Sequence, residues 1–252
     1  MVRSLARVAA PAVSRVLRPF SRLLERRRRH ELEQVQAREL AALRARIDWQ
    51  AFRALRARYP EVSPEHLGPL KYFAAETYLA RDLGRALARG LRNAAPRRVL
   101  DLGCGFGYFL LACSHLGHQA LGVDFTEDNH PDTTCYGEML ALLRQRRVLH
   151  RIRAFGALPA LGEPFDLVCA YDICFTRKPE GGDWDERAWR SFLLDLATQL
   201  RPGAEIHLEF NPRTDGRGYQ TDPLTRFFVE AGARVSSSGR VVHFAPGRLR
   251  LA

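Results

Sequence analysis

The chain of 252 residues is short of cysteine, of lysine and of long apolar runs. Its five cysteines include no Cys-x-x-Cys pair, and their odd number and scattered spacing are typical of free thiols rather than of a disulfide framework or a structural zinc site. Lysine occurs only at Lys71 and Lys178, and we attribute this bias towards arginine mainly to the base composition of the source genome. No stretch approaches the roughly 20 consecutive apolar residues that cross a bilayer, so the sequence predicts no membrane-spanning helix.

The positive charge that is present is concentrated near the N-terminus. Residues 1–60 contain 15 arginines and 5 acidic residues, whereas residues 61–252 contain 24 basic and 23 acidic residues and are nearly neutral. Because 46% of all residues are hydrophobic, the neutral part is able to bury a large core. We therefore predict two units, a basic helical extension at residues 1–60 and a catalytic domain at residues 61–252.

The extension itself has two parts. Residues 1–24 carry five arginines and no acid among apolar residues, a cationic amphipathic pattern that suits an organelle-targeting presequence, an arm on an anionic membrane surface or a solvated leader. Residues 26–58 have apolar side chains at nearly helical spacing and predict one long helix. We expect it to pack on the domain or, through residues 30–59, on a second copy of the chain. Its acidic residues make nucleic-acid binding the weaker interpretation. We expect a cytoplasmic protein, with a membrane-peripheral location or organelle targeting as the alternatives.

A glycine-rich turn lies between a strand pattern and a helix pattern. Val99–Leu102 is a short apolar run, Gly103–Gly107 has glycine at every second position, and Tyr108–Leu116 has helical spacing. Glycine suits this turn because a Cβ would block both the tight turn and the approach of a ligand to the free N–H groups of the helix. A second apolar run ends at Asp124, which suits a carboxylate at a neighbouring strand tip that accepts hydrogen bonds from ribose hydroxyls.

The spacing of these glycines distinguishes between nucleotide cofactors. A dinucleotide fingerprint would have its third glycine at position 108, which is Tyr108, so a nicotinamide- or flavin-dependent oxidoreductase is disfavoured. Val99–Gly107 instead resembles the first motif of class I S-adenosylmethionine-dependent methyltransferases. Pro164–Ala170 is similar to the fourth strand of that family, and Leu200–Leu208, entered through a Leu-Arg-Pro-Gly turn, is similar to its fifth. The resemblance covers about residues 70–248.

The resemblance implies a fold and a cofactor. It implies a doubly wound α/β domain with a mostly parallel seven-stranded sheet, closed by an antiparallel hairpin at Gly232–Phe244, and S-adenosyl-L-methionine as the methyl donor. The family often has an acid after its third strand that binds adenine, but His150–Leu158 contains none, so Phe155 and backbone groups are expected to hold the adenine. The cofactor-binding residues that it implies are Asp101, Gly103, Cys104, Gly105, Gly107, Asp124, Phe125 and Phe155.

Polar residues at the ends of the fourth and fifth strands are the candidates for acceptor chemistry, because ligands of such sheets bind at the carboxyl ends of the strands. We predict Asp172 and Glu209 as the acceptor-binding or proton-accepting pair, with turn capping as the plainer interpretation. Tyr171, Asn211 and Trp184 are predicted to contact the acceptor. Oxygen ligands at strand tips suit Mg²⁺, but the spacing does not match a metal-dependent O-methyltransferase, so we expect no metal.

The acceptor itself is the least constrained part of the prediction. The tetrapeptide Asp/Asn-Pro-Pro-Tyr/Phe of enzymes that methylate amino groups is absent after the fourth strand, where Tyr171–Phe175 stands instead. We expect methyl transfer to a small-molecule, glycan or lipid-linked acceptor, at oxygen. Contact of the N-terminal extension with a membrane surface is one alternative for that segment. The alternatives are an RNA methyltransferase and a methyltransferase-like interaction module without catalysis.

Overall fold

The computed structural model describes residues 30–59, 69–125, 131–173, 175, 183–211 and 222–251. The amphipathic segment of residues 1–24, with its predicted targeting or membrane role, lies outside the described residues. Within the described parts, no helix combines the length and the apolar character needed to cross a membrane.

The described part of the extension contains two helices. Residues 30–44 form α1 and Trp49–Ala57 form α2. The side chain of Asp48 accepts a hydrogen bond from the backbone N–H of Ala51 at 2.9 Å and so caps the start of α2. The prediction of one long helix is therefore wrong, because Asp48 has extended backbone and begins a new helix after buried Ile47.

Both helices pack on the rest of the chain. Their buried side chains belong to one hydrophobic cluster with residues of the helix Ala75–Ala88 (α3) and of the 3-10 turn Pro69–Phe73. The members from the extension are Leu43, Ile47, Phe52 and Leu55. The expected packing on the domain is thus present, and the domain boundary at residue 60 and the homodimer stay predictions.

The described strands form one seven-stranded sheet in the order β3-β2-β1-β4-β5-β7-β6. The strands are β1 Arg98–Leu102, β2 Gln119–Asp124, β3 Arg147–Leu149, β4 Phe165–Ile173, β5 Leu200–Phe210, β6 Arg234–Val235 and β7 Val241–Phe244. The remaining helices are α4 Tyr108–His115, α5 Pro131–Leu142, α6 Glu186–Ala197 and α7 Asp222–Glu230. Strands β1 to β5 pair in parallel, and β7 pairs antiparallel with both β5 and β6. The predicted doubly wound fold with its closing hairpin is confirmed.

Alternation along β4 explains why helices cover both faces of the sheet. Leu167, Cys169 and Tyr171 are in the cluster that contains α3 and α4, whereas Val168 and Ala170 are in the cluster that contains α6 and α7. Because successive side chains of a strand point to opposite faces, a strand that is apolar at every position must be buried on both. The strand order reverses between β1 and β4, and in such sheets the crevice at that reversal binds the ligand.

Candidate active site

The glycine turn follows β1 at the reversal point of the sheet. Gly103, Gly105 and Gly107 all have positive φ, the region that favours glycine. A Cβ at Gly107 would collide with the side chain of Leu140, whereas no atom lies within 4 Å of the place where a Cβ of Gly105 would stand. The turn is therefore packed against α5 on one side and faces open space on the other.

Asp124 connects the tip of β2 to this turn. Its Oδ2 accepts a hydrogen bond from the backbone N–H of Gly105 at 2.6 Å, and its Oδ1 accepts one from the N–H of Phe125 at 2.8 Å. Burial raises the pKa of the Asp124 carboxyl, and these two hydrogen bonds act in the opposite direction. Each carboxylate oxygen keeps a second lone pair, so the geometry allows Asp124 to accept hydrogen bonds from ribose hydroxyls as well.

A cleft opens between the turn and α3. Asp101, 3% exposed, lies at the end of β1, and burial, together with the charges of Asp82 and Asp124, raises the pKa of its carboxyl well above the ordinary value. The cleft is lined by Tyr72, Arg81, Asp82, Arg85, Asp101, Gly103, Cys104, Gly105, Phe106, Gly107, Tyr108, Phe109 and Tyr171. The lining thus includes all four predicted turn residues and adds charged and aromatic side chains from α3 and α4.

The predicted acceptor residues Asp172 and Glu209 lie together at the tips of β4 and β5. Arg85 Nη2 donates to Asp172 Oδ2 at 2.7 Å and to Glu209 Oε1 at 3.2 Å. Arg81 Nη1 also donates to Asp172 Oδ2, at 3.2 Å, and Arg240 lies within 4.0 Å of both carboxylates. The pair is thus held by guanidinium groups, and a proton-accepting role for it stays a prediction.

The backbone around Asp172 is unusual. Asp172 has φ +53°, at an irregularity in the pairing of β4 with β5, and the side-chain amide of Asn211 donates to its carbonyl oxygen at 2.7 Å. The preceding residue, Tyr171, has its ring 4.4 Å from the guanidinium of Arg85 and contributes to the cleft. Backbone strain of this kind persists only where the surroundings hold it in place.

Three predicted aromatic residues lie in different surroundings. Trp184 is 1% exposed and packs on Phe175, so it is a core residue and its predicted acceptor contact has no support among the described residues. Phe125 follows Asp124 and has the guanidinium of Arg151 4.3 Å from its ring. Phe155 is 55% exposed and has positive φ. No contact among the described residues tests the adenine role of the two phenylalanines, which stays a prediction.

The α3 side of the cleft was not predicted from the sequence. Asp82 is only 6% exposed and lies between Leu79 and Leu83, so it is an acid on the apolar face of a helix. Arg81 and Arg85 are four residues apart and project from the same side of α3. An acid at a core position of an amphipathic helix was the available signal, since a buried carboxylate needs a cationic partner.

Comparisons with known proteins identify the family of the chain. The family model described as a methyltransferase domain matches residues 73–209. The chain belongs to the class I S-adenosylmethionine-dependent methyltransferases. It is 30% identical over 178 residues to a ubiquinone biosynthesis O-methyltransferase of Dinoroseobacter shibae, covering 62% of this chain and 68% of that protein.

Two further similarities are weaker. A tRNA U34 carboxymethyltransferase of Azotobacter vinelandii is 29% identical over 162 residues, covering 62% of this chain and 46% of that protein. The crystal structure of DesVI of Streptomyces venezuelae is 15% identical and covers 74% of this chain and 100% of that one, with a TM-score of 0.49.

The residues of the cleft fit the family's cofactor. S-adenosylmethionine has a carboxylate and an ammonium at its methionine end and two hydroxyls on its ribose. Arg81 and the acids Asp82 and Asp101 would complement the charges of the methionine end, Asp124 would accept from the ribose, and the open space over Gly105 leaves room for the chain of atoms between them. The site therefore has hydrogen-bond donors and acceptors of the kinds that the cofactor needs.

Proposed function

We propose that this methyltransferase acts on an oxygen of a small aromatic acceptor, a phenol, that can carry a lipid tail. The cleft supports the proposal because aromatic residues are among those that line it beside the glycine turn, namely Tyr72, Phe106, Tyr108, Phe109 and Tyr171. Flat aromatic walls suit a flat aromatic acceptor. The similarity to a protein named ubiquinone biosynthesis O-methyltransferase supports the same class of acceptor.

The main support for the proposal is that the strand-tip carboxylates already accept hydrogen bonds from an arginine. Arg85 donates hydrogen bonds to Asp172 Oδ2 and to Glu209 Oε1, so one oxygen of each carboxylate is already engaged by a guanidinium group. A phenol has a pKa of about 10, which is far lower than that of an aliphatic alcohol, so a weak base, such as a water molecule at the mouth of the cleft, is enough to take its proton. Phenolic oxygen is therefore the acceptor that this site serves best.

Methyl transfer to such an oxygen is an in-line displacement. The bound cofactor supplies a methyl group on a positively charged sulfur, which is a good leaving group. The task of the chain is to align the acceptor oxygen with that methyl and to exclude water. Buried residues of the turn and of α4, such as Phe106 and Phe109, form a dry wall on one side of the cleft.

The proposal is tested by methyl transfer from radiolabelled S-adenosylmethionine to catechol, to a catechol with a polyprenyl tail, to a glycan and to total tRNA. We expect labelled methyl ether from the catechols, more of it when the tail is present, and far less from Asp124→Ala at limiting cofactor, because this variant loses the ribose contact. Methyl transfer to tRNA alone would replace the proposal with the RNA alternative. Cofactor binding without transfer to any of the four acceptors would favour the interaction module.

A further inference from the structure

Arg85 connects α3 to the tips of two strands. Its Nη1 donates to Asp82 Oδ1 at 2.9 Å, while its Nη2 donates to Asp172 on β4 and to Glu209 on β5. The side chain of Arg85 is 12% exposed, and its guanidinium lies 4.4 Å from the ring of Tyr171. One buried cation therefore contacts three acids from three elements.

Only the residues of α3 in this set of ion pairs line the cofactor cleft. Arg81, Asp82 and Arg85 line the cleft, but among the described residues Asp172 and Glu209 are not part of that lining. Asp172 also accepts from Arg81 at 3.2 Å. The two strand-tip carboxylates therefore bind arginines that line the cleft, without lining the cleft themselves.

We propose that Asp172 and Glu209 are positioning residues of the cofactor site and act through Arg85. By holding this guanidinium, they fix the cleft-facing side of α3 against the glycine turn and so set the affinity for the cofactor. This role replaces the proton-accepting role that their place at the strand tips suggests, and it does not depend on the identity of the acceptor.

The energetics of a buried cation support this role. Burial lowers the pKa of the Arg85 guanidinium, but the hydrogen bond with Asp172 and the nearby carboxylates outweigh this and raise it above its ordinary value. Loss of one partner leaves a buried charge that is incompletely compensated, so the side chain moves or takes up water. The strained backbone of Asp172, held by Asn211, keeps the carboxylate aimed at Arg85.

The test is calorimetric titration of the full chain with S-adenosylhomocysteine, the demethylated cofactor. Asp172→Asn and Glu209→Gln keep the shape of each side chain and remove its charge, and we expect each to weaken binding roughly tenfold, the lower range for a hydrogen bond to a charged group. In an Arg85→Met background, Asp172→Asn should cause a much smaller loss, because the carboxylate then keeps only its hydrogen bond with Arg81 among the arginines that line the cleft.

Arg89, which directly follows the last residue of α3, provides a matched control. Its Nη1 lies 3.3 Å from Glu205 Oε1, so it also connects α3 to β5, but it does not line the cleft. Arg89→Met should lower the midpoint of thermal unfolding and leave the affinity for S-adenosylhomocysteine within twofold of the wild type. The comparison distinguishes an effect on the geometry of the cleft from an effect of weaker packing of α3 on the sheet.

Three results would overturn the proposal. Wild-type affinity in both Asp172→Asn and Glu209→Gln would show that the carboxylates do not shape the cleft. Equal losses from Asp172→Asn with and without Arg85 would show that Asp172 acts by another route. A loss in Arg89→Met as large as in Asp172→Asn would show that the affinity follows helix attachment alone. Should Arg85→Met fail to fold, Arg85→Gln, which removes the charge but leaves a polar side chain beside the three acids, replaces it in the double variant.

Discussion

Two neighbouring histidines show how burial sets charge in this molecule. His207 on β5 lies opposite His243 on β7, and Arg89 Nη1 is 3.2 Å from Nδ1 of His207 and 3.5 Å from Nδ1 of His243. Burial, and then the charge of Arg89, lowers the pKa of His207 to about 3, and burial also lowers the pKa of His243. Both imidazoles are therefore neutral in the folded protein at neutral pH.

This arrangement predicts a dependence of stability on acid. The unfolded chain binds a proton at position 207 below pH of about 6.5, whereas the folded chain does not until about pH 3. The free energy of unfolding should therefore fall as the pH is lowered through this window, by up to about 1.4 kcal/mol per pH unit from this one group. Urea unfolding of the wild type and of His207→Asn at pH 7, 5.5 and 4.5 measures it. Equal pH slopes in the two proteins would contradict the prediction.

Some residues of the cofactor site could be predicted from the sequence and others could not, depending on whether the site residues are neighbours along the chain. Asp101, the glycine turn and Asp124 were predictable because strand, turn and helix follow one another in the sequence and form one unit. Arg81 and Arg85 were not, because they belong to a helix that ends before β1 and reach the cleft only when α3 packs across the sheet. The ion pairs of Asp172 and Glu209 were hidden for the same reason.

At the scale of elements, the spacing of apolar residues in the extension predicted helical structure, but it did not predict where the first helix ends. The extension has apolar residues at helical spacing on both sides of Asp48, so the pattern alone favours a continuous helix. The side chain of Asp48 instead accepts from the N–H of Ala51, and the indole N–H of Trp49 donates to the carbonyl of Arg44 at 2.9 Å. These hydrogen bonds satisfy backbone groups at the junction of two helices, where the α-helical ladder is interrupted.

The cap at Asp48 gives a prediction for the element it begins. Asp48→Ala should lower the free energy of unfolding by about 1 kcal/mol, because the N–H of Ala51 loses its acceptor at the start of α2. For a chain of this size, that loss corresponds to a fall of about 2–4 °C in the midpoint of thermal unfolding. Asp48→Asn is the matched control, since asparagine caps about as well as aspartate. If both variants unfold like the wild type, the cap does not stabilise the folded chain.

At the scale of the whole molecule, the doubly wound sheet was predictable because its strand motifs lie in the family's order. Packing of the extension on the domain was one of two expected arrangements, but the sequence did not show that the two parts share one hydrophobic cluster. Charge separates residues 1–60 from the rest, yet Leu43, Phe52 and Leu55 are buried in the same cluster as α3. Phe52 also contacts Phe73, whose ring lies 4.9 Å from that of Phe106 in the glycine turn. A difference in charge therefore does not mark a boundary of the core.

This shared core determines how the proposed membrane contact has to be tested. Deletion of residues 1–60 would remove buried side chains, so the test keeps the full chain and changes Arg3, Arg7, Arg15, Arg18 and Arg22 to glutamine. We expect the wild type to float with vesicles that contain phosphatidylglycerol. The variant should remain in the bottom fraction, because each arginine near an anionic surface contributes about 1 kcal/mol to membrane binding. The effect should fade at high salt.

A second set of five substitutions controls for total charge. Exposed arginines of the domain are changed to glutamine in the same way, at Arg144, Arg146, Arg153, Arg187 and Arg226. This variant has the same net charge as the first, so it should still float if the N-terminal arginines make the contact. Equal loss in both variants would mean that only the overall charge matters, and equal flotation of the first variant and the wild type would exclude these five arginines as the membrane contact.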